Sequence, residues 1–220
     1  MDKVEKKEVF IDYNEIKSKY LYSAVKRIMD VVGSCCGIII LSPIFLIVSL
    51  LIKIDNPKGS IFFSQIRVGK NETPFKMYKF RSMNPDAENK LEELLKYNEV
   101  EGAMFKIKND PRVTQIGKII RKTSIDELPQ LLNVLKGEMS LVGPRPPLQR
   151  EVAEYTKYDR QRLLVMPGCT GLWQVSGRNK TGFEDMVKLD IYYISNLSIY
   201  NDLVIICKTM IVLCSGHGAY

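Results

Sequence analysis

The hydrophobic residues of this chain are unevenly distributed, and one uninterrupted apolar run lies near the N-terminus. Residues Val31 to Ile52 form 22 consecutive positions without a charged side chain. At 1.5 Å per residue, a helix of this length measures ~33 Å, which is enough to cross the hydrocarbon core of a bilayer. The run begins too late and is too long for the core of a signal peptide, and no small-residue cleavage site follows it. The pattern therefore predicts a helix inserted in a membrane.

Ser42 and Pro43 lie at the centre of this run and predict a change of direction there. Proline removes one backbone donor and crowds the preceding turn, so a kink is expected. Each half is only ~15 Å long, too short to cross a bilayer alone. Basic residues flank both ends of the run: Lys17, Lys19, Lys26 and Arg27 before it, and Lys53, Lys58, Arg67 and Lys70 after it. Symmetric flanks favour a re-entrant helix-break-helix with both ends in the cytosol, and an ordinary kinked transmembrane helix stays as the alternative.

The rest of the chain alternates between β-type and helical patterns and predicts an α+β fold that is mostly helical. Residues 61–81 are β-rich around the turn sequence GKNE and predict a small β-hairpin. Helices are predicted over residues 85–97, 112–121 and 148–164, over the leucine-rich stretch that ends at Gly137, and over two stretches before the C-terminus. A Gly-rich loop covers residues 167–178. The apolar run from Leu203 to Cys214 is short for a crossing and suits an amphipathic interfacial helix.

Composition narrows the classes of function. With 45% hydrophobic and 26% charged residues, the chain can bury a core. The only histidine, His217, lies close to the C-terminus, and the five cysteines have no metal-binding spacing. A His-based triad or a histidine metal cluster is therefore not expected. The net charge of +7 attracts nucleic acid, anionic lipid or phosphorylated small molecules, or belongs to an ordinary lysine-rich surface.

Asp126 and Glu127 are the first candidates for catalytic residues. The spacing Ser124-x-x-Glu127 is also a capping-box pattern, in which both acids would serve only the start of a helix. Pro129 weakens that interpretation, because in a helix capped by Ser124 its ring would crowd the carbonyl of Ile125. A helix that begins nearer Pro129 would leave both acids in the preceding turn, where they can serve a site.

Basic residues lie close to these acids or at the ends of predicted elements, where binding sites concentrate. They are Lys79, Arg81, Arg121, Lys122, Arg145 and Arg178. Arginine suits bidentate phosphate recognition, although each residue taken alone is more simply an exposed surface charge. Neither the G-x-x-x-x-G-K-[ST] nor the G-x-G-x-x-G motif occurs, so a nucleotide site built on those phosphate loops is not supported.

Three stretches, together with the Ser42-Pro43 pair, resemble a known family. They are KFRSM at residues 79–83, RKTSIDELPQLLNVLKGEMSLVGPRP at 121–146 and PGCTGLWQVSGR at 167–178. Over roughly residues 22–220 the chain resembles the bacterial sugar transferases, the monotopic phosphoglycosyl transferases that start assembly of capsule, exopolysaccharide and O-antigen repeat units. The apolar run around Ser42-Pro43 is similar to the re-entrant helix of that family.

The resemblance implies a reaction and a role for each candidate residue. Asp126 would attack the β-phosphate of a UDP-sugar and release UMP, and undecaprenyl phosphate would then take the sugar-phosphate from the carboxylate. Glu127 would position or activate an incoming phosphate and steer Mg²⁺, the expected cofactor, for which Asp126 is the expected ligand. Arg145 is the first choice for a phosphate contact. Four further residues follow it: Arg121, Lys79, Arg81 and Arg178.

The resemblance also implies an organisation and a location. Residues 1–27 would be a lead-in, 28–54 the re-entrant anchor, and 55–220 a cytosolic catalytic domain continuous with the anchor. The protein would lie at the cytoplasmic face of the inner (plasma) membrane, with both termini cytosolic. Its expected partners are the UDP-sugar, undecaprenyl phosphate and membrane lipids, with no nucleic acid. A homo-oligomer and downstream glycosyltransferases stay open as further partners.

Two features depart from the family pattern, and one alternative function remains. Larger relatives carry an N-terminal bundle of transmembrane helices and a further domain, so this chain is expected to be a stand-alone catalytic unit. Met166 and Cys169 occupy positions where we expect Lys and an aliphatic residue, in a loop peripheral to the acid pair. No residue indicates which sugar is transferred. The alternative is a non-catalytic, membrane-attached basic scaffold that binds anionic lipid or nucleic acid.

Overall fold

A single long helix dominates the fold. The computed structural model describes residues 10–87, 89, 91–94, 107, 110–176 and 182–215, so that Arg178 and His217 lie outside the described residues. Within the described ranges the chain is an α+β protein and mostly helical, as the sequence predicts. The other elements are shorter helices and two two-stranded sheets.

The apolar run forms the middle of that helix. A short helix, α1 (Tyr13–Ser18), precedes it, and α2 then runs over 36 residues from Tyr20 to Asp55. Among the described helices, α2 is the one that is long and apolar enough to cross a membrane. Near its centre Ile39 and Ile40 are 71% and 74% exposed, which is typical of a surface that meets lipid rather than a protein core.

Pro43 lies inside α2 without interrupting the helix. Because proline has no N–H, the carbonyl of Ile39, four residues earlier, loses its helical donor. The hydroxyl of Ser42 donates to this carbonyl at 2.8 Å. Where the sequence predicts a helix-break-helix, the structure therefore has one continuous helix in which a side chain replaces a backbone hydrogen bond.

Both halves of α2 pack on the same body of the chain. On the N-terminal side of Pro43, the guanidinium of Arg27 donates to the carbonyl of Val134 at 2.6 Å. On the C-terminal side, Val48 is buried in a cluster with Phe80. Both halves of α2 therefore lie against one body of the chain, although the helix has no break at Pro43.

The predicted β-hairpin is confirmed. β1 (Phe62–Val68) pairs with β2 (Pro74–Phe80) in antiparallel register, and Phe63 lies opposite Lys79. The connection is a 3-10 turn at Lys70–Glu72, within the GKNE sequence. The register places Lys79 one residue before the end of β2.

The structure also contains a parallel pair of short strands that the sequence did not predict. β3 (Ser140–Val142) pairs with β4 (Gly168–Thr170). Gly143 and Gly168 let the two backbones touch, because a Cβ on Gly168 would lie 2.1 Å from the backbone nitrogen of Gly143. The contact joins the GPRPP turn to the Gly-rich loop, two stretches that are remote in sequence.

The remaining helices follow the predicted order, except that the helix at Leu172–Val175 lies in the stretch 167–178, for which the sequence predicts a Gly-rich loop. They are α3 (Leu91–Leu94), α4 (Gln115–Lys122), α5 (Gln130–Lys136), α6 (Gln149–Ala153), α7 (Leu172–Val175), α8 (Phe183–Ser195) and α9 (Ile199–Ser215). The helix predicted to start at Arg112 begins later, at Gln115, because the Thr114 hydroxyl accepts from the N–H of Gly117 at 3.0 Å and caps it. Of the helix predicted over 85–97, the described part is helical only in α3.

Two predictions near the C-terminal half have different outcomes. The single helix predicted over residues 148–164 is wrong: α6 is followed by a separate 3-10 turn at Asp159–Leu164. A carboxylate oxygen of Asp159 accepts from the N–H of Thr156 at 2.9 Å, and this local bond starts the new turn. The apolar run from Leu203 to Cys214 is helical, as part of α9, and Ile211 there is 67% exposed. Its location at a membrane interface stays a prediction.

Candidate active site

Asp126 and Glu127 lie on a 3-10 turn, Ile125–Glu127, between α4 and α5. Ser124 adopts the left-handed conformation, with a φ of 56°, and its side chain makes no capping hydrogen bond. The capping-box interpretation is therefore wrong. α5 begins directly after Pro129, which confirms the second interpretation, in which both acids lie in the turn before a helix.

Lys79 contacts both acids from the end of β2. Its Nζ lies 2.7 Å from Oε1 of Glu127 and 3.9 Å from Oδ2 of Asp126. Asp126 is 6% exposed, whereas the side chain of Glu127 is 36% exposed. The carboxylate of Asp126, which is largely shielded from water, thus lies beside the carboxylate of Glu127, which forms a short ion pair with Lys79.

Burial raises the pKa of Asp126 to about 6, because the charged form loses its contact with water. The positive charges of Lys79 and Arg121 lower this pKa, and the negative charge of Glu127 raises it. At neutral pH the carboxylate is still mostly ionised, but it is more basic and less hydrated than an exposed aspartate. Such a carboxylate suits nucleophilic attack on an electrophile brought into the site.

The other predicted basic residues are placed differently. Arg121 lies in the last turn of α4 and acts on Asp126 through its charge. Arg81 donates to the hydroxyl of Ser60, at the start of the hairpin. Arg178 lies outside the described residues. The structure thus brings Lys79 and Arg121 to the acid pair and gives Arg81 a different partner.

Arg145 belongs to a second charged cluster. Its Nη1 lies 3.3 Å from Oε2 of Glu151, which also accepts from the N–H of Leu148 at 2.8 Å. Arg162 donates to the carbonyl of Arg145 at 3.3 Å and pairs with Asp190 at 2.7 Å. The cluster therefore holds both the backbone of the GPRPP turn and the side chain of its arginine.

Arg162 and Asp190 form an ion pair that no pattern in the sequence predicts. Both side chains are almost completely buried, at 1% and 2% exposure. Charged residues within helical patterns are ordinarily exposed, and no spacing in the sequence marks a buried pair of this kind. Arg162 and Asp190 have opposite charges, but so do many other pairs of residues in the chain, so charge alone does not single out this pair.

One known protein family matches most of the chain. A family model described as "Bacterial sugar transferase" matches residues 21–216. The chain belongs to the bacterial sugar transferase family. The match covers α2, the acid pair and the GPRPP turn, and it confirms the resemblance drawn from the sequence.

Curated relatives support the same family membership. The chain is 48% identical over 210 residues to the galactosyl transferase CpsE of Streptococcus agalactiae serotype III, covering 95% of this chain and 46% of that protein. It is 42% identical over 199 residues to the exopolysaccharide production protein ExoY of Rhizobium meliloti, covering 89% and 88%. It is 44% identical over 200 residues to the undecaprenyl-phosphate galactose phosphotransferase of Salmonella typhimurium, covering 89% and 42%. The chain thus spans about half the length of the first and third of these relatives.

The acid pair of this family member also offers ligands for Mg²⁺. Magnesium prefers oxygen ligands and is commonly bound through one or two carboxylates together with substrate phosphates. Asp126 and Glu127 supply two adjacent carboxylates, and no group of three or more His, Cys, Asp or Glu suited to a metal occurs among the described residues. The two carboxylates therefore fit the oxygen donors that Mg²⁺ prefers.

Proposed function

We propose that this chain transfers a sugar-1-phosphate from a UDP-sugar to undecaprenyl phosphate through a covalent intermediate on Asp126. The observation that carries the proposal is the buried carboxylate of Asp126, held between Lys79, Glu127 and the charge of Arg121. The names of relatives support the substrate class, since one is an undecaprenyl-phosphate galactose phosphotransferase. Another, from Aeromonas hydrophila, is a UDP-N-acetylgalactosamine-undecaprenyl-phosphate N-acetylgalactosaminephosphotransferase.

The proposed reaction has two displacements at one phosphorus atom. A carboxylate oxygen of Asp126 bonds to the β-phosphorus of the UDP-sugar, the bond from that phosphorus to the oxygen bridging the α-phosphate breaks, and UMP leaves. A phosphate oxygen of undecaprenyl phosphate then bonds to the same phosphorus, and the bond to the aspartyl oxygen breaks. The products are undecaprenyl-diphospho-sugar and a regenerated carboxylate. The covalent intermediate divides a difficult transfer into two easier steps.

The residues around Asp126 act on charge and position. Lys79 and Arg121 offset the negative charge that a diphosphate brings to a site with two carboxylates. Glu127 keeps the ammonium of Lys79 at 2.7 Å, so that the cation stays beside the nucleophile without a short bond to it. Mg²⁺, which Asp126 and Glu127 would hold together with the substrate, supplies further neutralisation of phosphate charge when bound.

The test uses purified protein with radiolabelled UDP-sugars, undecaprenyl phosphate and Mg²⁺. A panel of UDP-glucose, UDP-galactose and their N-acetylated amino forms is scored for UMP release, which also identifies the sugar. Asp126→Asn abolishes release, and the exposed control Asp185→Asn does not. A sugar-phosphate adduct on a peptide that contains Asp126 supports the covalent route. UMP release unchanged in Asp126→Asn would overturn it, and no release with any sugar would favour the basic scaffold.

We also propose that α2 enters the cytoplasmic leaflet of the inner membrane and returns, so that both termini are cytosolic. The contacts on both sides of Pro43 support this arrangement. The test labels Ser18→Cys and Lys58→Cys separately from the periplasmic side, in a variant that lacks the five native cysteines. Neither position should react until the membrane is permeabilised. Reaction at only one of them would mean that α2 spans the bilayer.

A further inference from the structure

Asn133 is completely buried in α5, and its side-chain amide bonds to the backbone of β2. Its Oδ1 accepts from the N–H of Tyr78 at 2.9 Å, and its Nδ2 donates to the carbonyl of Lys76 at 2.6 Å. A neighbouring strand would present one acceptor and one donor to this edge in the same way. The amide therefore takes the place of a third strand on the edge of β2 that does not face β1.

The second amide hydrogen of Asn133 holds the side chain in this orientation. Nδ2 also donates to Oε2 of Glu138 at 2.6 Å, and the N–H of Glu138 donates to the carbonyl of Asn133 at 3.0 Å. Only the nitrogen of the amide can donate to both a carbonyl and a carboxylate, which fixes the assignment of its two ends. A buried amide with these three bonds has a single rotamer available to it.

The two bonds to β2 join the elements that carry the basic and acidic parts of the site. Tyr78 directly precedes Lys79 in the strand. The acid pair lies on the 3-10 turn at Ile125–Glu127, which continues directly into α5. One backbone hydrogen bond at this junction runs from the N–H of Leu131 to the carbonyl of Leu128, at 3.1 Å. Any slip between β2 and α5 would therefore move the ammonium group relative to the acid pair.

We propose that Asn133 is a positioning residue for the proposed transfer, because its amide fixes β2 against α5 and so holds Lys79 beside Asp126 and Glu127. The kinetic part of this inference rests on the proposed function, whereas the geometric part does not. Among the described residues, the hydrogen bonds of the Asn133 amide go to β2 and Glu138, and not to Asp126 or Glu127. Asn133 therefore acts on the acid pair through the backbone of β2. The two parts therefore need separate measurements.

The first measurement needs no enzymatic activity. Brief acetylation with acetic anhydride, read by mass spectrometry, compares the reactivity of Lys79 with that of Lys118 in the same molecule. Asn133→Leu keeps the branched shape of the side chain but removes both strand bonds, so Lys79 should lose its short ion pair and react about tenfold faster. Asn196→Leu removes an exposed asparagine of the same type and should leave Lys79 unchanged.

The second measurement follows UMP release against the concentration of the UDP-sugar. In Asn133→Leu we expect kcat to fall about 100-fold while KM for the UDP-sugar changes little, since the chemistry loses alignment rather than binding. A purely structural role would lower the unfolding temperature but leave kcat per folded molecule unchanged.

The outcomes separate the two proposals. If the unaltered protein releases no UMP, the proposed function fails, and the acetylation result still decides the geometric inference. If Asn133→Leu does not fold, Asn133→Asp takes its place, because it keeps the acceptor for Tyr78 and removes the bonds that Nδ2 donates to Lys76 and Glu138. Unchanged reactivity of Lys79 in a folded Asn133 variant overturns the inference.

Discussion

The ammonium nitrogen of Lys79 lies 2.7 Å from Oε1 of Glu127. The same nitrogen is 3.9 Å from Oδ2 of Asp126, so the short ion pair belongs to the more exposed acid. Under the proposed function, the short contact with Glu127 and the longer one with Asp126 suit the different roles of the two acids. Asp126 gains the electrostatic benefit of the cation, but its oxygen is not engaged in a short bond that would have to break before attack.

Replacing Lys79 by Met should therefore change the pH dependence of UMP release as well as its rate. Without the cation, the pKa of Asp126 rises above about 6, and the acid limb of the rate profile moves to higher pH. The loss of rate is then larger at pH 6.5 than at pH 8.5. The control is Lys76→Met, an exposed lysine on the same strand. An acid limb that stays in place in Lys79→Met would contradict the assigned role of the ammonium.

Asp126→Asn should stabilise the protein at neutral pH. The pKa of Asp126 is raised from 3.8 to about 6 on folding, so the folded state binds more protons than the unfolded state between these values. Stability therefore falls as the pH rises through this window, and above it the buried charge costs ~1–3 kcal/mol. Asparagine removes that cost.

The measurement is thermal unfolding of both proteins in the same detergent at pH 4.5 and pH 7.5. The gain in unfolding temperature for Asp126→Asn should be larger at pH 7.5, and Asp185→Asn serves as the exposed control. A gain that is equal at both pH values would show that the titration of Asp126 does not contribute. A gain in stability with a loss of reaction is the pattern expected where a site keeps an unfavourable group for its chemistry.

Much of this site could be predicted from local sequence, because its constraints are local. In a helix capped at Ser124 the ring of Pro129 would crowd the carbonyl of Ile125, and this favours a turn for Asp126 and Glu127. The hairpin also follows from a short β-rich stretch around a turn. The capping-box interpretation is wrong for a local reason too. Ser124 has a left-handed backbone conformation, and its side chain makes no capping hydrogen bond.

The remaining features depend on contacts between distant parts of the chain. β3 and β4 have only three residues each, too few for an alternating pattern, and they meet because Gly143 and Gly168 lack side chains. The amide of Asn133 reaches a strand more than fifty residues earlier in the chain. No periodicity in one segment records such a partner, so these contacts become visible only in three dimensions.

The buried pair of Arg162 and Asp190 should be sensitive to the removal of one partner. Its atoms lie 2.7 Å apart, and Arg162 also donates to the hydroxyl of Tyr155 at 2.6 Å. Arg162→Met leaves Asp190 buried without its cation, which we expect to cost ~3–5 kcal/mol of unfolding free energy. The double variant Arg162→Met with Asp190→Leu should lose much less than the sum of the single changes, as measured by thermal unfolding. Additive losses would show that the two charges do not depend on each other.

Ser42 and Pro43 should be energetically coupled, because the Ser42 hydroxyl serves the carbonyl that Pro43 leaves without a helical donor. Ser42→Ala alone leaves the carbonyl of Ile39 unpaired in an apolar environment, which we expect to cost ~1–2 kcal/mol. In a Pro43→Ala background the same change should cost close to nothing, because the new N–H restores the backbone bond. Unfolding of the four proteins in mixed detergent micelles completes this double-mutant cycle. Equal costs of Ser42→Ala in both backgrounds would mean that the hydroxyl does not replace the missing donor.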